Sequence, residues 1–384
     1  VTRKTMINTS EITLLPGHDH WAQNLATVAQ TPLALLPDSL RIMTRFEAWW
    51  QQAALNRPLF IAKANADPTR PITRRLDLLD DADAWFTAKK LDLIQTRCFG
   101  DALPTLRVDF GPACLGALLG APVEFSSETD TTWTHAFLND EWNNAPDWTI
   151  HSDNVWWQRL QTLLDKVCAD AAGQYLLRTP SFGGGSDVLL NMRGSGNLCL
   201  DTLEQPATIV AALDKIYMAW RQAFSSLFDA ATRHGVGLLH WIELWSAQPY
   251  VVPECDFMCM IGPHEFRKIC LPDIARTAGS VGRAAFHLDG PDAARRIDEL
   301  LEVAEITAVQ FTPGAGSPSA LAWLPMFEKI QASGRSLLIF TPPHEVLPLS
   351  EQLRPEGLAI IIESLLSLPE AEELDERWMR RWGA

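Results

Sequence analysis

The sequence predicts an α/β protein in which parallel strands are buried between helices and the functional site lies at the strand ends. Three observations carry this reading. From Leu238 onward, short apolar runs alternate with amphipathic segments at intervals of 22 to 30 residues, the rhythm of repeated βα units. The runs are apolar throughout, as strands covered on both faces are. Two of them break abruptly into polar and glycine residues: Phe286-His287-Leu288-Asp289-Gly290 and, about 23 residues further on, Val309-Gln310-Phe311-Thr312-Pro313-Gly314. A strand that ends this way delivers side chains to a loop. The pattern alone fits both a closed (β/α)8 barrel and an open doubly wound sheet. Neither a G-x-G-x-x-G fingerprint nor a Walker-type phosphate loop occurs, which counts against a nucleotide-binding open sheet.

The 384 residues exceed the roughly 250 of a plain (β/α)8 barrel, so elaborations are expected. Residues 1–40 are weakly patterned, with turn residues at Pro16-Gly17 and Pro37-Asp38-Ser39, and are expected to form an N-terminal arm lying over the barrel or another subunit. Residues 41–384 form the main domain. It opens on a helix whose one face carries Ile42, Phe46, Trp49 and Trp50. Leu59–Ala62 is a strand, and the loop-rich stretch 98–150 is an elaboration over the barrel mouth, with short strands near Leu106 and Val123. A helix over Asn154–Ala172 leads to a strand at Tyr175–Leu177 and then to Ser181-Phe182-Gly183-Gly184-Gly185. Helices follow over Asp187–Met192 and Pro206–His234.

Strands are then expected at Leu238–Ile242, Asp256–Ile261, Ala284–Leu288, Ile306–Phe311, Ser336–Phe340 and Leu358–Ile362. The helices between them begin with proline in several cases, its favoured place in a first turn. Pro272 falls inside one and predicts a kink.

Composition excludes some functions. With a net charge of −15 and no basic patch, neither nucleic acid nor an anionic membrane is an expected partner. No run approaches the ~20 apolar residues of a membrane helix, and none near Val1 has signal-peptide character. Seven scattered cysteines form no disulfide framework, so reduced thiols and a cytoplasmic location are expected. Fifteen tryptophans serve either as large packing residues or as the lining of a pocket for a ring-shaped substrate.

The candidate site residues follow from the strand tips. His287 and Asp289 stand two apart on a strand and share a face. They are either metal ligands or an acid/base pair, or a hydrogen-bonded pair that fixes the next turn. Strand alternation puts Trp241, Glu243 and Trp245 on one face. A carboxylate between two tryptophans would be a proton donor with a raised pKa, unless an arginine pairs with it. Asp256 and Tyr250 are placed near the pocket, and Gln310 and Thr312 are candidates to orient a substrate. Arg193 would hold a substrate carboxylate or else make a helix-end ion pair. Cys255 and Cys259, about 13 Å apart on a strand, are too distant to share a metal.

In collinear order, Asp187…Arg193-Gly194, Cys255-Asp256-Phe257…Gly262-Pro263, His287-Leu288-Asp289-Gly290-Pro291 and Gln310-Phe311-Thr312-Pro313-Gly314 resemble the uroporphyrinogen decarboxylase-like superfamily, near its corrinoid-linked methyltransferases. The likeness runs from about Arg41 to the end of the sequence. It implies a (β/α)8 barrel with its site at the C-terminal strand ends. The decarboxylases hold substrate carboxylates with an arginine-rich N-terminal run; here Arg41, Arg45 and Arg57 are dispersed. The methyltransferases hold zinc with H-x-C-G and a later cysteine. Here Asp289 stands where they have cysteine, and Glu363 occupies the later position. The resemblance therefore implies a His287, Asp289 and Glu363 site for zinc or another divalent metal, a small ring-containing substrate and a corrinoid carried by a partner protein. It also implies a homodimer. Metal-assisted methyl transfer or demethylation is the first expectation. A metal-free decarboxylase or hydrolase in which the His287/Asp289 pair and Glu243 transfer protons directly, and a non-catalytic binding barrel, are the alternatives.

Overall fold

The computed structural model describes residues 13–383, except 75, 127, 139–141, 143, 144, 315 and 318. Its strands are β1 Leu59–Asn65, β2 Thr96–Gly100, β3 Thr105–Arg107, β4 Val123–Ser126, β5 Thr131–Thr134, β6 Leu176–Arg178, β7 Leu238–Leu239, β8 Ala285–Asp289, β9 Ala308–Thr312, β10 Ser336–Phe340, β11 Leu358–Ile361 and β12 Leu366–Ser367. The larger sheet runs β12-β1-β11-β10-β9-β8, all parallel, with β2 antiparallel on β1. A second parallel arc is β3-β6-β7. Two parallel bridges, Val251 to Ala284 and Glu254 to His287, add the segment before Cys255 to the β8 edge. Among the described residues no ladder joins β3 to β1, so hydrogen bonding does not complete a ring.

The central strands form because they are apolar on both faces. Leu337, Leu338 and Ile339 of β10 and Leu358, Ala359 and Ile360 of β11 are fully buried, as expected under helices. The helices preceding the C-terminal repeats are α1 His18–Val28, α2 Ser39–Trp50, α3 Ala82–Gln95, α4 Cys114–Leu118, α5 Val155–Ala171, α6 Gly185–Arg193, α7 Ser195–Glu204 and α8 Pro206–Arg233. No helix is long and apolar enough to cross a membrane among the described residues.

The stretch read as an arm contains α1. Trp21, Leu25 and Val28 form its buried stripe; Trp21 stacks on Phe228 of α8 at 5.0 Å and donates its Nε1–H to Asp229 at 2.7 Å. Three residues at helical spacing were too short a signal to read. The arm's first twelve residues lie outside the described residues.

Two expected strands are corrected. Leu238–Ile242 stops at Leu239, because the amide of His240 is taken by the hydroxyl of Tyr250 at 2.9 Å and not by a neighbouring strand. The chain then turns, with Glu243 N–H donating to the His240 carbonyl and Glu243 at a φ of 60°. Asp256–Ile261 is a 3-10 turn over Asp256–Cys259, because the Phe257 amide donates to Asp187 of α6 at 2.9 Å. Cys255 and Cys259 are therefore not on a strand. Pro272 is preceded by a π-helical turn at Phe266–Cys270, which absorbs its missing amide without ending the helix.

Candidate metal centre

β8 and β9 lie side by side in a register that pairs His287 with Gln310 and Asp289 with Thr312. Side chains alternate along a strand, so these four share one face. The turn at Asp256 adds a third donor: Asp256, His287 and Asp289 each offer one ligand atom, all within 4.8 Å of one another. Loops after both strands come close here. Gly290 and Gly314 have φ of 77° and 81°, and a Cβ on Gly314 would meet the Gly290 backbone at 3.3 Å.

His287 is buried and its tautomer is fixed. Its Nδ1 meets Gln310 Oε1, while Gln310 Nε2 donates to Thr312 Oγ1 at 2.9 Å. An amide oxygen only accepts, so Nδ1 carries the proton and Nε2 keeps its lone pair for a ligand. Gln310 itself is wholly buried. The ring of Trp241 stands edge-on to the imidazole, 4.8 Å between centroids at 81°. Trp241 Nε1–H donates to Glu254 Oε1 at 3.0 Å, and Ser181 Oγ donates to the same oxygen at 2.6 Å.

Acidity is concentrated around this imidazole. Burial pushes Glu254 above the usual carboxylate range, against the opposing pull of His287 and of its hydrogen bonds. Burial likewise raises Asp256, with His287 pulling it down and Asp289 pushing it up. Asp187 is raised by burial and then by the nearby charge of Asp256. Clustered acids that repel one another are a setting a cation relieves, and here Asp256 stands exposed while Asp289 is half-buried, so an ion could reach them from solvent. One imidazole nitrogen and two carboxylate oxygens form a hard donor set, which fits a divalent ion such as zinc or manganese. Cys259 is not among the clustered donors, and burial and then Asp256 push its thiol up to about 11.

No protein-family profile and no curated protein matches the chain. A solved structure, a methyltransferase from Methanosarcina mazei, is similar with a TM-score of 0.58 and 10% identity, over 89% of this chain and 99% of that one. The chain has a methyltransferase-like fold. At that identity the likeness concerns architecture alone.

Within this methyltransferase-like fold several expected site residues do other work. Glu243 is not a proton donor between tryptophans. Burial alone would raise its pKa, but Arg178 and Lys63, each bonded to it at 2.6 Å, bring it down to about 2. Trp245 is fully buried, and Tyr250 spends its hydroxyl on the Leu244 carbonyl and the His240 amide, so both are core residues. Arg193 is buried against Asp201 at 2.7 Å. Glu363 lines the cavity that Asp289 and Thr312 also line, yet the third clustered donor is Asp256. Trp241 is the tryptophan that reaches the centre; Trp21, Trp49, Trp85 and Trp378 are fully buried in the interior. Glu254 and Ser181 went unread. The spacing Glu254-x-Asp256 repeats that of His287-x-Asp289 and was the available signal.

Proposed function

We propose that the chain is an enzyme that holds a divalent cation on Asp256, His287 and Asp289 and transfers a methyl group to or from a small ring-containing substrate. One observation carries the proposal: the Nε2 lone pair of His287 is locked by Gln310 beside two carboxylates. When bound, the cation would act as a Lewis acid toward an oxygen or sulfur of the substrate. Gln310 sets the imidazole's tautomer and angle, as outer partners of metal-bound histidines do. Glu254, raised by burial and lying beside His287, is suited to hold a proton and return it at its carboxylate oxygen. Trp241 packs edge-on against the His287 ring, and the Thr312 hydroxyl, which accepts from Gln310, keeps its own O–H to donate to a substrate.

The methyl-transfer class is favoured by the architecture shared with the M. mazei methyltransferase. A corrinoid carried by a partner protein is the methyl donor or acceptor this reading uses. We read the two parallel arcs as parts of a (β/α)8 barrel of the uroporphyrinogen decarboxylase-like superfamily. The chain is read as cytoplasmic and homodimeric; its seven free cysteines favour a reducing compartment. The metal-free lyase or hydrolase alternative used both Glu243 and the His287/Asp289 pair for proton transfer, and the pairing of Glu243 with Lys63 and Arg178 removes the Glu243 part of that support.

Metal analysis of protein purified without chelator tests the proposal. About one divalent ion per chain is expected. Asp256→Asn and His287→Ala should each weaken metal binding at least about tenfold, while Glu363→Gln retains it. A protein that binds no transition metal under any loading condition would end this reading.

A further inference from the structure

A second cavity, of about 260 Å³, opens beside Lys63 of β1, Arg178 of β6 and the segment after β11. Its rim residues Glu363 and Ser364 also line the cavity of Asp289 and Thr312. Three separate elements bring cations to it. Lys63 and Arg178 are largely buried and share one carboxylate, Glu243. Glu243 is held at a φ of 60°, a conformation non-glycine residues adopt at a cost. Lys89 of α3 is the third, its ammonium donating to the Thr73 carbonyl. Arg107 also lines the wall but is tied to Asp109 at 2.8 Å. The remaining acids are Asp92, which accepts from the Thr73 amide, and exposed Glu363.

Donor counting shows spare capacity. Arg178 places Nε and one terminal nitrogen on the Trp241 carbonyl and the other terminal nitrogen on Glu243. Lys63 serves Glu243 and Thr105 Oγ1, the latter at 2.9 Å. A guanidinium has five N–H groups and an ammonium three, so Arg178 has two and Lys63 one to spare. The facing wall is apolar, from Leu93, Leu106, Ile361 and Leu365. Trp241 connects the two regions: its carbonyl holds Arg178, and its ring lies against His287.

We propose that this cavity binds the tail of the substrate, and that the tail is a small organic carboxylate seated on Lys63 and Arg178 with its hydrocarbon against Leu106 and Ile361. As the tail of a substrate, this rests on the reading of Asp256, His287 and Asp289 as the reacting centre. The carboxylate takes the spare N–H groups of both cations.

Calorimetric titration of hexanoate and of uncharged hexanamide into chelator-treated protein, at fixed ionic strength, tests this. Hexanoate should bind at least about tenfold more tightly than hexanamide. Lys63→Gln should reduce hexanoate affinity by a similar factor. Lys89→Met, which removes a cation bonded only to a backbone carbonyl, should also weaken it and serves if the Lys63 variant fails to fold. Equal binding of acid and amide, no binding of hexanoate, or unchanged affinity in the folded variants would overturn the proposal. The chelator keeps this readout independent of any metal: hexanoate binding in a protein that never holds metal would refute the metal centre and leave the carboxylate site standing.

Discussion

His287 and Gln310 are joined twice, once as register partners of β8 and β9 and again through the imidazole Nδ1–H and the amide oxygen. The strand pairing sets their spacing and the side-chain bond sets the imidazole's free face. Gln310→Leu keeps the shape and deletes the acceptor. It should weaken metal binding by about tenfold to a hundredfold, as read by competition with a chromophoric chelator. Gln310→Glu keeps an acceptor at that position and should retain binding. Equal affinity in the leucine variant and the wild type would show that the ring needs no such partner.

Gly184 lies where two backbones cross. A Cβ there would sit 1.9 Å from the carbonyl oxygen of Glu254, so one of the chains must shift. Gly184→Ala should therefore lower the melting temperature and weaken metal binding together, because Glu254 and Asp256 move with the crossing. Gly183→Ala has open space, its nearest neighbour at 4.0 Å, and pays only for its φ of 71°. A Gly184→Ala protein with wild-type melting and wild-type metal affinity would contradict the crossing.

The strand tips at 287–289 and 310–312 were legible because alternation needs only the local sequence. Asp256 was legible as an acid but not as a ligand, since its turn is fixed by Asp187, which precedes Phe257 by 70 residues. Of the two readings of Glu243, pairing with an arginine holds through Arg178, and the proton donor between tryptophans fails for a similar reason. Alternation was carried past Leu239, but the Tyr250 hydroxyl captures the next amide and turns the chain. Arg193 was seen at helical spacing, while its partner Asp201 sits on the following helix. In each case a long-range or inter-element bond decided the outcome, and periodicity carries no record of it.

Two buried groups give stability a pH dependence. His240 donates its Nε2–H to the Tyr250 carbonyl at 2.7 Å and accepts at Nδ1 from the Thr179 hydroxyl at 2.8 Å, and burial lowers its pKa to about 4. The unfolded chain takes up this proton near its ordinary value of about 6.5. Stability is full above that value and falls as pH drops toward 4, by at most about 3 kcal/mol. Glu243, brought down to about 2 by its two cations against its burial, adds a second loss below about 4.5. Urea melts from pH 8 to pH 3 should show both declines, and the first should vanish in His240→Gln. A profile flat between pH 7 and pH 4 would be inconsistent with a neutral buried imidazole.

Asp101 is the test of what the dispersed arginines do. It is fully buried, and it accepts from Arg45 Nε at 2.7 Å, from Arg57 Nη1 at 2.6 Å and from the Phe60 amide at 3.0 Å. Arg45 and Arg57 thus clamp β1 from below and are not free to hold a substrate carboxylate. Asp101→Asn removes the negative charge and leaves two guanidinium groups facing each other, Arg57 almost wholly buried. Breaking a buried pair from one side costs about 3–5 kcal/mol, so the variant should lose that much in urea denaturation. Arg45→Met alone should cost less, because Arg57 still neutralises the carboxylate. Combined with Asp101→Asn it should recover part of the loss, because one stranded cation is gone. If Asp101→Asn costs under about 1 kcal/mol, the scale of an exposed pair, the arginines are not anchored as described and a ligand-binding role for them reopens.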